Sequence, residues 1–231
     1  MSADASWLAA LLATDAPALP GAGWMQYYLP MSWFFPLSLL GALVGWKLPW
    51  RARKYFALFF GIVAINVGSA FPLYWLGLAF QTLSFSAVLL VGSVYEEVLA
   101  QPRKLEPWQR ADSLSFWAPL VAVLPGYLLL LDTFAVLPLQ IYAWGFSPMA
   151  LLCLLAVSLL PGVLRGYTIS RSAPEVWVAP TALLLFAVTR LPTGNVWDAL
   201  IDPWLWLFLN GVLLRVVYRR LRGAKTLEAQ I

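Results

Sequence analysis

"YYLPMSWFFPLSLLGALVGWKLPWRARK", Tyr27 to Lys54, joins twenty uncharged, mostly apolar residues to four basic ones packed into eight positions. An α-helix rises 1.5 Å per residue, so about 20 apolar residues cross a hydrocarbon core ~30 Å thick. Lys and Arg collect in loops on the cytoplasmic side of a membrane. The stretch therefore predicts a first transmembrane span, 27–46, that enters from outside and ends inside at Lys47, Arg51, Arg53 and Lys54.

The remainder of the chain repeats this pattern. It is 61% hydrophobic and 11% charged over 231 residues, against about 45–50% and about 25% in soluble domains. A domain of this length keeps much of its surface in contact with solvent, so that much apolar surface cannot all be hidden from water. The expected class is an all-α integral membrane protein, a bundle of about seven transmembrane helices with a short N-terminal interfacial helix. Further spans are predicted at 55–71, 73–95, 115–131, 148–164, 176–190 and 202–218. "GSAFP", Gly68–Pro72, makes the hairpin between the second and third. Residues 133–147 are too apolar for a wet loop and read as re-entrant, interfacial or part of a span. The organisation is then an external or interfacial segment over 1–26, a transmembrane domain over 27–218 and a basic cytoplasmic tail over 219–231.

The N-terminus has apolar Trp7, Leu8, Leu11 and Leu12 on one helical face, flanked by Asp4 and Asp15, with no Lys or Arg before Lys47. A secretory signal has the opposite flank, so a helix lying on the membrane surface is expected. With this end outside and seven alternating spans, 14 of the 15 basic residues fall on the inner side, Arg190 being the exception. The C-terminus is then cytoplasmic, and a bacterial inner membrane is the expected location. Trp24, Tyr27, Tyr142, Trp144 and Trp197 fall at outer span ends, and Trp46, Trp50, Tyr55 and Tyr95 at inner ends, as expected of interfacial aromatic belts. The lipid bilayer and other membrane subunits are the expected partners. No basic patch is interleaved with a readout motif, so nucleic acid is not expected.

Chemistry-bearing residues are few. There is no His, which removes the usual zinc, haem and imidazole-based catalytic sets. The one Cys, Cys153, sits in an apolar run and reads as a small hydrophobe. There is no phosphate-binding G-x-x-x-x-G-K-[ST] and no nucleophile-elbow G-x-S-x-G. No Lys stands in the last span, where a rhodopsin would hold retinal. No metal, cofactor or catalytic residue is expected.

Glu96 and Glu97 close the third span. "EEVLAQ", Glu96–Gln101, resembles the start of the E-E-x-x-x-R motif of the CAAX-type intramembrane proteases. It departs at Gln101, where that family has Arg, and the family's later His residues have no counterpart. The resemblance implies at most a degenerate, inactive relative. Read from the residues, Pro102 stops the helix, and the two glutamates face water or headgroups, or one contacts a partner.

Polar residues within spans are costly and invite a functional reading. Asn66, Gln81, Ser84, Asn210 and Arg215 form either a polar lining or a set of interhelical contacts. Arg190 stands outside with Asp132, Asp198 and Asp202, as a local salt bridge or a site of proton or cation access. Two functions follow: a non-catalytic membrane subunit or accessory protein of a larger complex, or a small permease or channel.

Overall fold

The opening run folds as helix α1, Ala22–Val44, and the chain turns through Gly45–Pro49 into α2, Trp50–Asn66. The structure, a computed structural model, describes residues 18–66, 82–100, 117–136, 138–164 and 174–228. The described residues go on to form α3 (Phe85–Ala100), α4 (Trp117–Thr133), α5 (Ile141–Trp144), α6 (Pro148–Leu164), α7 (Pro174–Thr189), α8 (Val196–Leu200) and α9 (Pro203–Glu228). No β-strand occurs among them, so the described chain is all-α. The N-terminal interfacial helix, the Gly68–Pro72 hairpin and Gln81 lie outside the described residues.

Among the described residues one helix, α1, is long and apolar enough by length and composition to cross a membrane. Apolar stretches of α3, α4, α6 and α7 are shorter. Helix boundaries differ from the sequence expectation, and α1 already begins at Ala22, inside the expected external segment. Basic Arg51, Arg53 and Lys54 lie in the first turns of α2 and not in a loop. The third span does not run unbroken from 73, because Thr82–Ser84 are non-helical and α3 starts at Phe85. Ser84 makes that start: its hydroxyl accepts from the Ala87 N–H at 3.1 Å, an N-cap that competes with helix continuation. At the other end of the chain, α9 passes position 218 without a break and continues to Glu228.

Close packing rests on small residues. Along the α1–α2 hairpin, a Cβ on Gly41 would come within 2.9 Å of the Phe56 carbonyl oxygen, and one on Gly61 would overlap the Ser38 hydroxyl and the Phe34 ring. Absent side chains let two helix backbones approach closely. α3 then packs Val94 and Tyr95 against Ala42 and Ala57 of that hairpin. Its N-terminal half joins the main core, where Phe85 meets Ala150 of α6, Ala182, Leu183 and Phe186 of α7, and Val196 and Ala199 of α8. α3 is thus the helix that the others share.

α4 and α9 form the remaining pair. The Trp206 indole lies against Gly126, its N–H donates to the Val123 carbonyl at 3.3 Å, and its ring meets Tyr127 edge-on at 4.9 Å. A Cβ on Gly126 would sit 2.2 Å from the Trp206 ring. Gly126→Ala is therefore expected to destabilise the protein by about 1–3 kcal/mol, the usual cost of overpacking. Reversible unfolding in mixed micelles checks this, and an unchanged midpoint would contradict the α4–α9 contact.

Candidate functional site

Polar side chains gather at one end of the bundle, where α4 and α7 finish and α6 and α9 begin. Asp132, in the last turn of α4, accepts from the Tyr142 N–H at 2.8 Å. That bond supplies a partner to the first turn of α5, whose N-cap residue, Gln140, makes no side-chain cap. Tyr142 in turn donates its hydroxyl to Asp198 Oδ2 at 2.9 Å, and the Thr193 hydroxyl donates to the same oxygen.

Asn195 ties the loops around α5 and α8 together. It is fully buried. Its Oδ1 accepts from the Trp197 N–H at 3.0 Å, capping α8, and its Nδ2 donates to the Tyr142 carbonyl at 2.9 Å. The Trp197 indole N–H reaches the Ile141 carbonyl at 2.9 Å, and the Val196 N–H reaches the Gly145 carbonyl at 3.1 Å. Position 145 has to be glycine, because a Cβ there would lie 2.1 Å from Asn195 Oδ1 and 2.4 Å from the Trp197 ring.

Asp202 makes a second knot below the first. It is buried, and its Oδ1 accepts from the Leu205 N–H at 2.9 Å, so it is the N-cap of α9. Its Oδ2 accepts from both the N–H and the hydroxyl of Ser84, at 2.8 and 2.7 Å. One carboxylate thus serves the N-termini of α3 and α9 together. The Tyr28 hydroxyl, from α1, closes the group by donating to the Leu83 carbonyl at 2.7 Å.

Of the four residues in the expected external cluster, Asp132 and Asp198 are joined through Tyr142, and Asp202 stands apart on Ser84. The expected salt bridge to Arg190 does not form among the described residues. The Arg190 guanidinium lies over the Phe186 ring, 5.3 Å from its centroid. Its backbone has a φ of 59°, and its carbonyl accepts from Gly194 at 2.8 Å. The carboxylates are satisfied by neutral N–H and O–H donors, which removes the need for a cation.

Of the expected membrane-span set, read as a polar lining or interhelical contacts, the side chains of Ser84, Asn210 and Arg215 are described. Asn210 accepts from the Tyr127 hydroxyl at 2.8 Å and donates back to the Trp206 carbonyl at 2.8 Å, an interhelical contact of α4 and α9. Ser84 belongs to the Asp202 knot. Arg215 is half-buried further along α9. Asn66 ends α2, and Glu96 and Glu97 lie in the last turns of α3, but these three side chains lie outside the described residues, as does Gln81. An open concavity of about 480 Å³ borders the Asp132–Tyr142 network, lined by Asp132, Ala135, Pro138, Gln140, Tyr142 and Ala143. Among the described residues no group of three His, Cys, Asp or Glu side chains could hold a metal ion.

Tyr142, Thr193, Asn195 and Trp197 are absent from the sequence-based candidates. The spacing Asn195-x-x-Asp198 before an apolar helix is close to a capping box and carried a usable signal. Trp197 passed for a belt residue, yet it is buried, with its N–H turned into the protein. No protein-family model, curated protein or solved structure matches this chain.

Burial pushes the Asp198 carboxyl above its ordinary value of 3.8, opposed by the Thr193 and Tyr142 hydroxyls and reinforced by the charge of Asp202. Burial and the Asp198 charge push the Tyr142 phenol upward as well. A raised carboxyl pKa means that the folded state holds the proton more tightly than the unfolded chain. The stability it contributes is fully present below 3.8 and is lost as pH rises through the raised folded value. Asp198→Asn keeps an acceptor for both hydroxyls and is expected to flatten the stability–pH curve from 3.8 upward, as thermal unfolding across that window would record.

Asp202→Ala is expected to cost about 2–4 kcal/mol, from one lost helix cap and the unpaired buried donors of Ser84. Ser84→Ala is expected to cost less, and the double variant less than the sum of the two. A double-mutant cycle by equilibrium unfolding measures that coupling, and strict additivity would contradict the shared knot.

Proposed function

We propose that the chain is a membrane-embedded helical bundle that acts as a non-catalytic subunit or accessory protein of a larger membrane assembly. The observation carrying this reading is the division of its surface. Large apolar side chains project outward from α2, α4, α6, α7 and α9, with Val188 85%, Leu214 69%, Phe59 62%, Val121 62% and Val157 60% exposed. Lipid, or the apolar face of a partner helix, is the environment in which such sides are stable. The polar groups described at one end are committed to one another and to helix ends, so they are not arranged around a substrate.

The seven longer helices are read as seven spans, with α5 and α8 as short outer caps. Helices of 16 or 17 residues are about 24–26 Å long at 1.5 Å per residue, short for a ~30 Å core. Local thinning of the bilayer accommodates such lengths at modest cost. The helix ends agree with alternation. Asp202 joins the starts of α3 and α9, and the Tyr142–Asp198 bond joins the segments that follow α4 and α7. Read with the basic residues Arg219, Arg220, Arg222 and Lys225 near the α9 end, the alternation supports an N-terminus outside and a cytoplasmic α9 end. A bacterial inner membrane suits that charge distribution.

A small permease is the second reading, favoured by the concavity beside Asp132. It requires that opening to continue toward the midplane, whereas Asn210 and Ser84 hold separate partners there and at the outer end.

Purification in mild detergent followed by mass spectrometry is expected to recover partner membrane proteins at fixed stoichiometry. Migration alone, with Asp132-dependent solute movement in proteoliposomes, would replace the subunit by the permease. With Cys153 replaced by Ala, a cysteine introduced at Lys225 is expected to react with an impermeant thiol reagent only after the membrane is opened. Labelling from the outer face would reverse the orientation.

A further inference from the structure

The inner turn between α1 and α2 holds a buried cation with unmet donors. Arg53 is 6% exposed. Its Nη2 donates to the Trp46 carbonyl at 2.8 Å, and its guanidinium carbon lies 4.4 Å from the centroid of the Trp46 ring. Its Nε and Nη1 are buried with no hydrogen-bond partner. A guanidinium does not deprotonate in proteins, so the charge and its unfilled donors persist together. Desolvating them without an acceptor is strongly unfavourable.

The surroundings increase the deficit. Arg53 reaches back seven residues, toward the N-terminus of α2, where the backbone N–H groups and the helix dipole favour an anion. No acidic residue stands in that first turn. Lys47, Arg51 and Lys54 flank the turn, all exposed. The Lys54 ammonium lies 3.7 Å from the centroid of the Trp50 ring. Cations crowding the positive end of a helix, with no carboxylate in its first turn, leave a local excess of positive charge. The Trp46 ring lies against the guanidinium and the residue is 39% exposed, so a shift of this ring would open a path to Arg53.

We propose that this turn is a binding site for a phosphate-class anion, with Arg53 as the deep donor, the α2 N-terminus as the cradle and Trp46 as the cover. Phosphate oxygens match a guanidinium fork and a helix N-terminus alike. The phosphate comes from an anionic phospholipid headgroup or from free phosphate. The headgroup source rests on the membrane placement proposed above, whereas the free-phosphate measurement in detergent reads the site independently of it.

The test uses the full chain and the thermal unfolding midpoint, since a ligand that binds the folded state raises it. In nanodiscs, exchanging part of the phosphatidylcholine for phosphatidylglycerol is expected to raise the midpoint by several degrees. In detergent, millimolar inorganic phosphate is compared with chloride at equal ionic strength. A shift with phosphatidylglycerol alone identifies the headgroup, and a shift with inorganic phosphate as well identifies the free anion. Either supports the site, and no shift with both probes overturns it. Arg53→Gln is expected to abolish the shift and Arg53→Lys to reduce it to less than half. Should Arg53→Gln not fold, the exposed double variant Lys47→Gln, Arg51→Gln decides. Retention of more than half the shift supports a built site, and its loss shows general surface attraction and overturns the proposal. A shift of equal size in wild type and Arg53→Gln also overturns it. So does destabilising coupling between Arg53→Gln and Glu97→Gln without a phosphate response, which would make a carboxylate of this chain the partner.

Discussion

The arrangement of the bundle depends on one carboxylate. Asp202 stands between the N-termini of α3 and α9 and accepts from Leu205, from the Ser84 N–H and from the Ser84 hydroxyl. Each helix start carries backbone N–H groups without intrahelical partners and about half a positive charge. Two such ends brought together away from water would repel each other and leave donors unpaired. A single negative group between them removes both difficulties. It also fixes the level at which α3 begins, and α3 is the helix against which the α1–α2 hairpin, α7 and α8 pack. A local capping interaction therefore determines a tertiary register.

Close approach does the rest. Gly61, Gly126 and Gly145 each face a side chain that would overlap any added Cβ: Ser38 and Phe34, Trp206, and Asn195 with Trp197. In each case a bulky or polar side chain fills the space that the glycine leaves. Matched shapes of this kind give apolar helices a specific packing. The contacts that define this fold are consequently steric and hydrogen-bonded, and they involve few residues.

That economy explains what the sequence revealed. The helical class was legible because it follows from composition and run length, and the span at 148–164 agrees in both limits with α6. The break before α3 was not legible, since Ser84 looks like one more small polar residue in a greasy run until Asp202, 118 positions away, is seen to hold it. Asp198 and Asp202 were visible as charges near Arg190, and opposite charges suggest salt bridges. The structure satisfies them with hydroxyl and amide donors that carry no charge signal. Asn195 left a local trace in its capping spacing. Tyr142 and Trp197 left none, because an interfacial aromatic and a buried hydrogen-bonding one have the same composition and the same place at a helix end.

The two ends of the bundle differ in kind. At the end that carries α5 and α8 the acceptors of Asp132, Asp198 and Asp202 are met by donors from other elements, and the loops around α5 and α8 are tied to each other through Asn195 and Trp197. Such a network opposes relative movement of α4, α7 and α9, because shifting any one of them would break hydrogen bonds shared with the others. At the α1–α2 turn the balance is reversed. A buried arginine retains open donors, and the small-residue seam of the hairpin constrains shape without supplying an acceptor. Open donors on a buried cation make this turn the more responsive of the two places. Response to another molecule is therefore to be sought at Trp46–Lys54 before the network of Asp132 and Asp198.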